Sequence, residues 1–243
     1  MKNQLRSFLL GFSSFLLVWW WLSVITDNRS LPSPFPTFKR MWELKDVLFL
    51  HAGASLMRIF VALTIAVLVG LPAGILLGKY SKANQLFGPL LYFLYPLPKV
   101  AFLPIFMIFF GLGNLSKILL IFSVISIQVI VSIRDGVNEI PESYYQVMDN
   151  YSTKIWPSVR FLIFPALIPS LIASLRVSVG ISLASLFFAE NYNTTYGLGY
   201  LILSAWSKMD YEQMLSGILM IAWIGFFVFT VLDELERRFC RYR

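Results

Sequence analysis

Three ionisable side chains interrupt otherwise apolar runs of this sequence: Lys99, Arg176 and Glu190. Charged groups at such positions attract ions, pair with one another or move protons, so each is a functional candidate. Lys99 lies between Pro98 and Val100. It can snorkel or pair structurally, or present an ammonium as an anion-attracting wall. Arg176 has two readings of equal standing: pairing with a carbonyl or neighbouring helix, or facing an anionic substrate. Glu190 has no second carboxylate or nucleophile near it in sequence, which argues against general acid chemistry. The pair Gly197 and Gly199 makes a poor phosphate loop, because no lysine follows in the P-loop pattern. They read as turn residues. A single histidine, His51, speaks against a histidine-ligated metal, and it reads as an interfacial residue rather than a switch. A single cysteine, Cys240, excludes an intrachain disulfide and a thiolate cluster. No cofactor or metal site is expected.

The elements that must carry these residues are set by composition. Of 243 residues, 58% are hydrophobic and 14% charged, against about 25% charged in a soluble domain. So much apolar surface cannot be hidden in a core of this size, so the solvent must be lipid. Six runs are long and apolar enough to cross a bilayer, at 8–25, 59–78, 87–112, 116–133, 165–189 and 213–232. The first is too long for a signal peptide core and lacks a cleavage site, so it reads as a retained helix. The third is kinked by Pro96, Pro98 and Pro104. Small residues Gly70, Ala73, Gly74 and Gly78 give the second span two small-xxx-small spacings suited to close helix packing. The aromatic load belongs to lipid faces and interface belts rather than to a cofactor box. The fold class is therefore all-α and polytopic, one transmembrane domain over 1–243.

Six spans put both termini on one side. With the termini cytoplasmic, that side holds eleven Lys and Arg against six opposite, so this orientation follows. The net charge of +7 then orients the protein, and nucleic acid is not needed to explain it. On the outer side, prolines 32, 34 and 36 predict an extended stretch. Residues 37–50 then predict an interfacial helix with Phe38, Trp42 and Leu48 towards lipid or protein. On the inner side, the connection at Lys79–Lys82 is about eight residues, whereas 134–164 is far longer and a candidate to carry function. It predicts a short helix from Glu142, a turn at Asp149 and Asn150, and a second short helix ending at Pro165. Such a segment can dock into a groove on a cytosolic partner or serve as a solvated connector.

Four strings occur in order: LPSP…HAGASLMR (31–58), PLLYFLYPLPKVAFLPIFMIFFGLGNLSKI (89–118), WPSVRFLIFPALIPSLIASLRVSVG (156–180) and FFAENYNTTYGLGYLI (187–202). Together they resemble the permease subunit of binding-protein-dependent type I ABC importers, in the nitrate, sulfonate, taurine and bicarbonate subfamily. The resemblance implies a bacterial inner-membrane subunit working as one of two permeases, as a homodimer. An extracytoplasmic binding protein would feed it and a pair of cytosolic ATPase subunits would drive it. ATP hydrolysis would lie on that partner, and this chain would not itself be an enzyme. The implied substrate is a small solute, an anion such as nitrate or sulfonate or a small heteroaromatic or vitamin precursor. Glu190 matches the family's glutamate at the outer end of the pore helix, which implies a gate or interface anchor.

The family's coupling signature is a Glu-Ala-Ala triplet, a glycine six residues after the glutamate, and a Leu-Pro ending nineteen residues after it. Anchored on Pro165, these positions hold Gln146, Val147 and Met148, then Ser152, then Phe164. Trp156, Pro157 and Arg160 fit the subfamily. Gln146 removes a charge, Val147 and Met148 thicken a close-packing surface, and Ser152 restricts a backbone that glycine leaves free. The expectation is an ATPase partner with a matching, altered groove. Two other classes stay open at this stage: a non-transporting membrane scaffold descended from a permease, and a secondary transporter, although no internal repeat is visible.

Overall fold

A computed structural model describes residues 2–151 and 155–240, with side chains described from Leu10 onward and not at 151–155. Two compact units emerge, one from 1–55 with 195–222, the other from 56–194 with 223–243.

The first unit begins with α1 (Lys2–Thr26), whose Trp19 is buried. The Trp19 indole Nε1–H donates to the Pro32 carbonyl at 3.0 Å. A helix, α2 (Pro34–Glu43), occupies the proline-rich stretch expected to be extended. Pro34 and Pro36 fall in its first turn, where backbone N–H groups have no helical partner and proline costs nothing. The expected interfacial helix over 37–50 is thus two helices. It stops at Leu44, and residues from Lys45 belong to α3 (Lys45–Lys79). Phe35 and Trp42 stay outward, 81% and 73% exposed, with the Lys45 ammonium 4.8 Å over the Trp42 ring. Two later helices complete the unit: α10 (Leu198–Ser207), and the first part of α11 (Tyr211–Phe239). The Ser216 hydroxyl donates to the Glu212 carbonyl at 2.7 Å, with the Thr37 carbonyl 3.3 Å away, and Arg40 pairs with Asp210 at 3.1 Å.

The second unit holds the longest helices. After the one-residue connector Tyr80, shorter than the expected loop, comes α4 (Ser81–Leu94). A 3₁₀ turn (Lys99–Phe102) leads into α5 (Leu103–Phe110), and α6 (Asn114–Asn138) follows. The expected third span is therefore broken rather than kinked: its two halves meet at 89°. Pro96 and Pro98 supply no N–H donors across the break, although Tyr95, just before Pro96, keeps helical φ and ψ. Pro104, in contrast, sits harmlessly in the first turn of α5.

Then come α7 (Glu142–Tyr151), α8 (Ile155–Ser158), a π-helical turn (Val159–Ile163) and α9 (Phe164–Glu190). The expected second short helix does not end at Pro165. It runs on through Pro165 and Pro169, so that Trp156–Glu190 is one apolar helical span of 35 residues. The π turn lies just before these prolines and redistributes the backbone bonds they interrupt.

Among the described residues, α3, α6, Trp156–Glu190 and α11 are long and apolar enough to cross a bilayer, and the bent α4–α5 pair makes a fifth. The expected first span falls in α1, a helix of 25 residues whose side chains are described over 10–26. Of the six expected spans, four are thus long helices and one is a broken pair among the described residues, and the first falls in α1.

The second unit's core lies along α6. Gly70, Gly74 and Gly78 of α3 face Val129, Ile133 and Val137 in matched steps of four; a Cβ on each would come within 2.9, 2.6 and 2.5 Å of those side chains. The small-residue stripe thus serves close packing of α3 on α6, as its spacing predicts. On its other side α6 packs against α9, where Gly136 lies against Leu167 and Ser170. Leu103, Leu120 and Ala189 tie α5, α6 and α9 together.

Candidate functional site

Polar side chains of the second unit gather at four places. The most buried one joins three helices. Arg58 of α3 donates through Nη1 to Glu190 Oε1 at 2.5 Å and through Nε to Asn114 Oδ1 at 2.9 Å. Arg58 is 3% exposed and Glu190 0%. Beside them Lys117 of α6, 1% exposed, donates to the carbonyls of Leu112 and Gly113 at 2.9 and 3.3 Å. Lys117 lies within electrostatic reach of both Arg58 and Glu190. Two cations and one carboxylate leave this cluster with a formal charge of +1. Glu190 is therefore an ion-pair partner locking the end of α9 and the start of α6 to the body of α3. Arg58 was not singled out from the sequence, although a charge opening a long uncharged run calls for a polar partner. Lys117, counted from sequence among the loop charges, is instead one of the largest fully buried side chains.

Of Arg176's two readings, the structure has the pairing with a neighbouring helix. Its Nη2 meets Asp233 Oδ1 at 2.5 Å and Glu236 Oε2 at 2.8 Å, two carboxylates one turn apart on α11. Lys99, at the break between α4 and α5, meets no carboxylate among the described residues. Its Nζ donates to the Tyr95 carbonyl at 2.6 Å and lies 5.7 Å from the Tyr95 ring centre. The Tyr95 hydroxyl in turn donates to Gln128 Oε1 of α6 at 2.8 Å. Neither Tyr95 nor Gln128 was singled out by the sequence, because uncharged polar groups in a span give no periodic signal.

The fourth place is the segment 134–164. Gln146 and Val147 are exposed on α7, whereas Met148 and Tyr145 are half-buried. Burial, with Glu142 adding to it, lifts the Tyr145 phenol above its ordinary range, so it stays neutral near pH 7. Ser152 lies outside the described residues. Trp156 is 65% exposed. Pro157 is half-buried, and Arg160 lies out over the Phe161 ring at 5.5 Å. Pro165 sits apart from α7's outer face and lines a cleft of about 580 Å³ with Gly136, Glu139, Tyr144, Pro169 and Glu236.

In the first unit His51 is buried, not interfacial. Its Nδ1 lies 3.0 Å from the Gly197 N–H and 2.9 Å from the Gly197 carbonyl, and its ring stacks on Tyr200. One turn on, the Ser55 hydroxyl accepts the Leu198 N–H at 2.9 Å. Together they hold the turn into α10, where Gly197 adopts φ +148, a conformation side chains resist. The GxG turn was visible in the sequence, but Ser55 was not singled out, and only the fold brings it and His51 to that turn. No group of three His, Cys, Asp or Glu suited to a metal ion occurs among the described residues.

Residues 70–241 match the family model described as "binding-protein-dependent transport system inner membrane component". The chain is 31% identical over 232 residues to the taurine transport system permease protein TauC of Escherichia coli (strain K12), covering 92% of this chain and 84% of that one. It is 30% identical to the putative aliphatic sulfonates transport permease protein SsuC of Bacillus subtilis (strain 168), covering 90% and 80%. Among solved structures, a chain of the MetNI methionine ABC transporter in inward-facing conformations superposes with a TM-score of 0.68 at 14% identity, covering 81% of this chain and 98% of that one. That likeness establishes the fold. With the family model over most of its length and relatives aligned nearly end to end, the chain belongs to the binding-protein-dependent ABC importer permeases, type I, of the nitrate, sulfonate and taurine subfamily.

Proposed function

We propose that two copies of this chain form the membrane pathway of an importer, with both termini of each copy on the cytoplasmic side of a bacterial inner membrane. A binding protein outside delivers a small solute, and two cytosolic ATPase subunits hydrolyse the ATP. The whole chain serves as one permease domain. The relatives' names concern taurine and aliphatic sulfonates, and a small sulfonate-like solute is the substrate class we assign. The solute path runs past Lys99. Glu190, held by Arg58, is an anchor at the outer end of the lever helix, and Arg176 fastens that helix to α11 near its middle.

One observation carries the coupling reading. Exposed α7 is followed closely by a helix that runs unbroken from Trp156 to Glu190. A displacement imposed on Gln146, Val147, Met148, Ser152, Trp156, Pro157 or Arg160 passes into a rigid rod, with Pro165 near its base. Closing of the ATPase pair draws these segments together and rocks the two bundles, exposing the path outward. The altered coupling signature pairs with an altered ATPase groove.

Liposomes containing the chain, its genomic-neighbour ATPase and the binding protein test the reading. ATP-dependent uptake is expected, together with a crosslink from a cysteine at Trp156 to the ATPase. Gradient-driven uptake without ATP would instead identify a secondary carrier, and assembly with the ATPase without any uptake a scaffold.

A further inference from the structure

Charges at membrane depth in the second unit divide sharply. Arg58 and Arg176 are matched by carboxylates, and Lys117 by two backbone carbonyls beside Glu190. Lys99 stands apart. One of its three N–H groups is spent on the Tyr95 carbonyl, and its remaining neighbour is a ring face. No carboxylate can reach it from its own stretch of chain, because from Val47 to Arg134 the sequence has no Asp or Glu while holding Arg58, Lys79, Lys82, Lys99, Lys117 and Arg134.

At the hydroxyl end of the same Tyr95, Gln128 uses Oε1 to accept from it, which leaves the two N–H bonds of Nε2 without a partner among the described residues. Lys99 and Gln128 are half-buried and Tyr95 is exposed, so the three present an open edge. An ammonium, an amide N–H₂ and a phenol with no opposing carboxylate form a donor-rich, positive surface. Facing hydrocarbon it would be costly, whereas facing an aqueous path it is matched by an anion. It also sits where a spanning helix is broken, the place where transport proteins expose polar groups at mid-membrane.

We propose that Lys99, Tyr95 and Gln128 form an anion-binding station on the solute path, taking the singly charged oxyanion head, sulfonate or carboxylate, of a small organic solute. Lys99 supplies the charge, and Gln128, oriented by Tyr95, supplies hydrogen bonds to a second oxygen. The proposal rests on the importer reading for the path and adds the substrate's charge and the residues that meet it. Arg176 and Glu190 are not part of this station, since each already holds an ion pair.

The experiment measures site access in the full permease–ATPase complex and does not depend on transport. In a Cys240→Ala background, Gln128→Cys is reacted with an ethylsulfonate-bearing thiosulfonate and with its trimethylammonium counterpart, each rate normalised to that of a free thiol. Tyr95→Cys serves as a second reporter. The expected result is labelling of both cysteines, with the anionic reagent favoured by about tenfold. Lys99→Gln should bring the ratio close to parity, and Lys99→Arg should preserve it. Unreactive cysteines at both positions, a preference for the cationic reagent, or a ratio indifferent to Lys99→Gln would overturn the proposal. An anionic preference that follows the charge at residue 99 upholds it even if ATP-driven uptake fails, a failure that would count against the importer reading alone.

Discussion

Removing one member of the buried Arg58–Glu190 pair should unfold the protein far more readily than removing both. At 2.5 Å and an effective dielectric near 20, the attraction is about 6–7 kcal/mol. Much of that is consumed by stripping water from two groups that are 3% and 0% exposed. Glu190→Met leaves the Arg58 guanidinium buried, with only Asn114 as a named partner and Lys117 repelling it. The expected loss is about 3–5 kcal/mol. For a chain of this length that is about 6–20 °C in melting temperature. Arg58→Met removes the carboxylate's guanidinium partner but leaves the Lys117 ammonium within its electrostatic reach, so its cost should be the smaller of the two. The double variant Arg58→Met, Glu190→Met strands neither group, and Lys117 keeps its two carbonyls, so most of the loss should return. Thermal unfolding of the four proteins in one detergent forms a double-mutant cycle. Additive losses, or singles within about 1 kcal/mol of wild type, would refute the reasoning by showing that the charges are hydrated or otherwise matched.

Gly74→Ala puts a Cβ 2.6 Å from that of Ile133 and 2.9 Å from the Ile130 carbonyl and should cost about 1–3 kcal/mol on the same unfolding assay; Ile133→Ala in the same chain should not recover it, because alanine keeps the Cβ. Arg176→Gln, in contrast, should shift stability by no more than about 1 kcal/mol, because its pair with Asp233 and Glu236 is nearly half exposed. At the coupling segment, Gln146→Glu with Ser152→Gly restores the family pattern. If the ATPase groove is co-adapted, ATPase stimulation by the loaded binding protein should not rise; a strong gain would mean that coupling in the native chain is impaired.

What the sequence made legible follows from what lipid enforces. Hydrocarbon demands long uncharged runs, so α3, α6, α9 and α11 stood out by composition alone, and the glycine steps in α3 announced a close contact. Composition says nothing about geometry inside a run. Pro96 and Pro98 gave the same signal for a kink as for the 89° break, and Pro165 resembled a helix end when the chain instead passes it just after a π turn. Prolines 34 and 36 misled in the opposite sense: only the position of the first turn distinguishes a proline that starts a helix from one that forbids it. Pairings across elements were the least legible. Arg58 with Glu190 spans 132 positions and His51 with Gly197 spans 146. Neither separation leaves a periodic trace.

The placement of the ion pairs bears on how force could travel. In the proposed mechanism the ATPase acts at the base of the helix that begins at Trp156, and Glu190 ends that same helix some 35 residues on, about 50 Å away along its axis. A rod transmits displacement only if its far end is attached to what must move. At that end Arg58 and Asn114 attach it to α3 and α6, through groups whose separation at membrane depth is heavily penalised. Near the middle, Arg176 links it to α11 through two half-exposed carboxylates, a connection that water can loosen at little cost. The stiff attachment is therefore remote from the motor and the yielding one is closer to it. That ordering lets α9 shift against α11 while carrying α3 and α6 with it. It makes Arg58 and Glu190 rather than Arg176 the residues whose loss should uncouple ATP hydrolysis from uptake in a complex that still assembles.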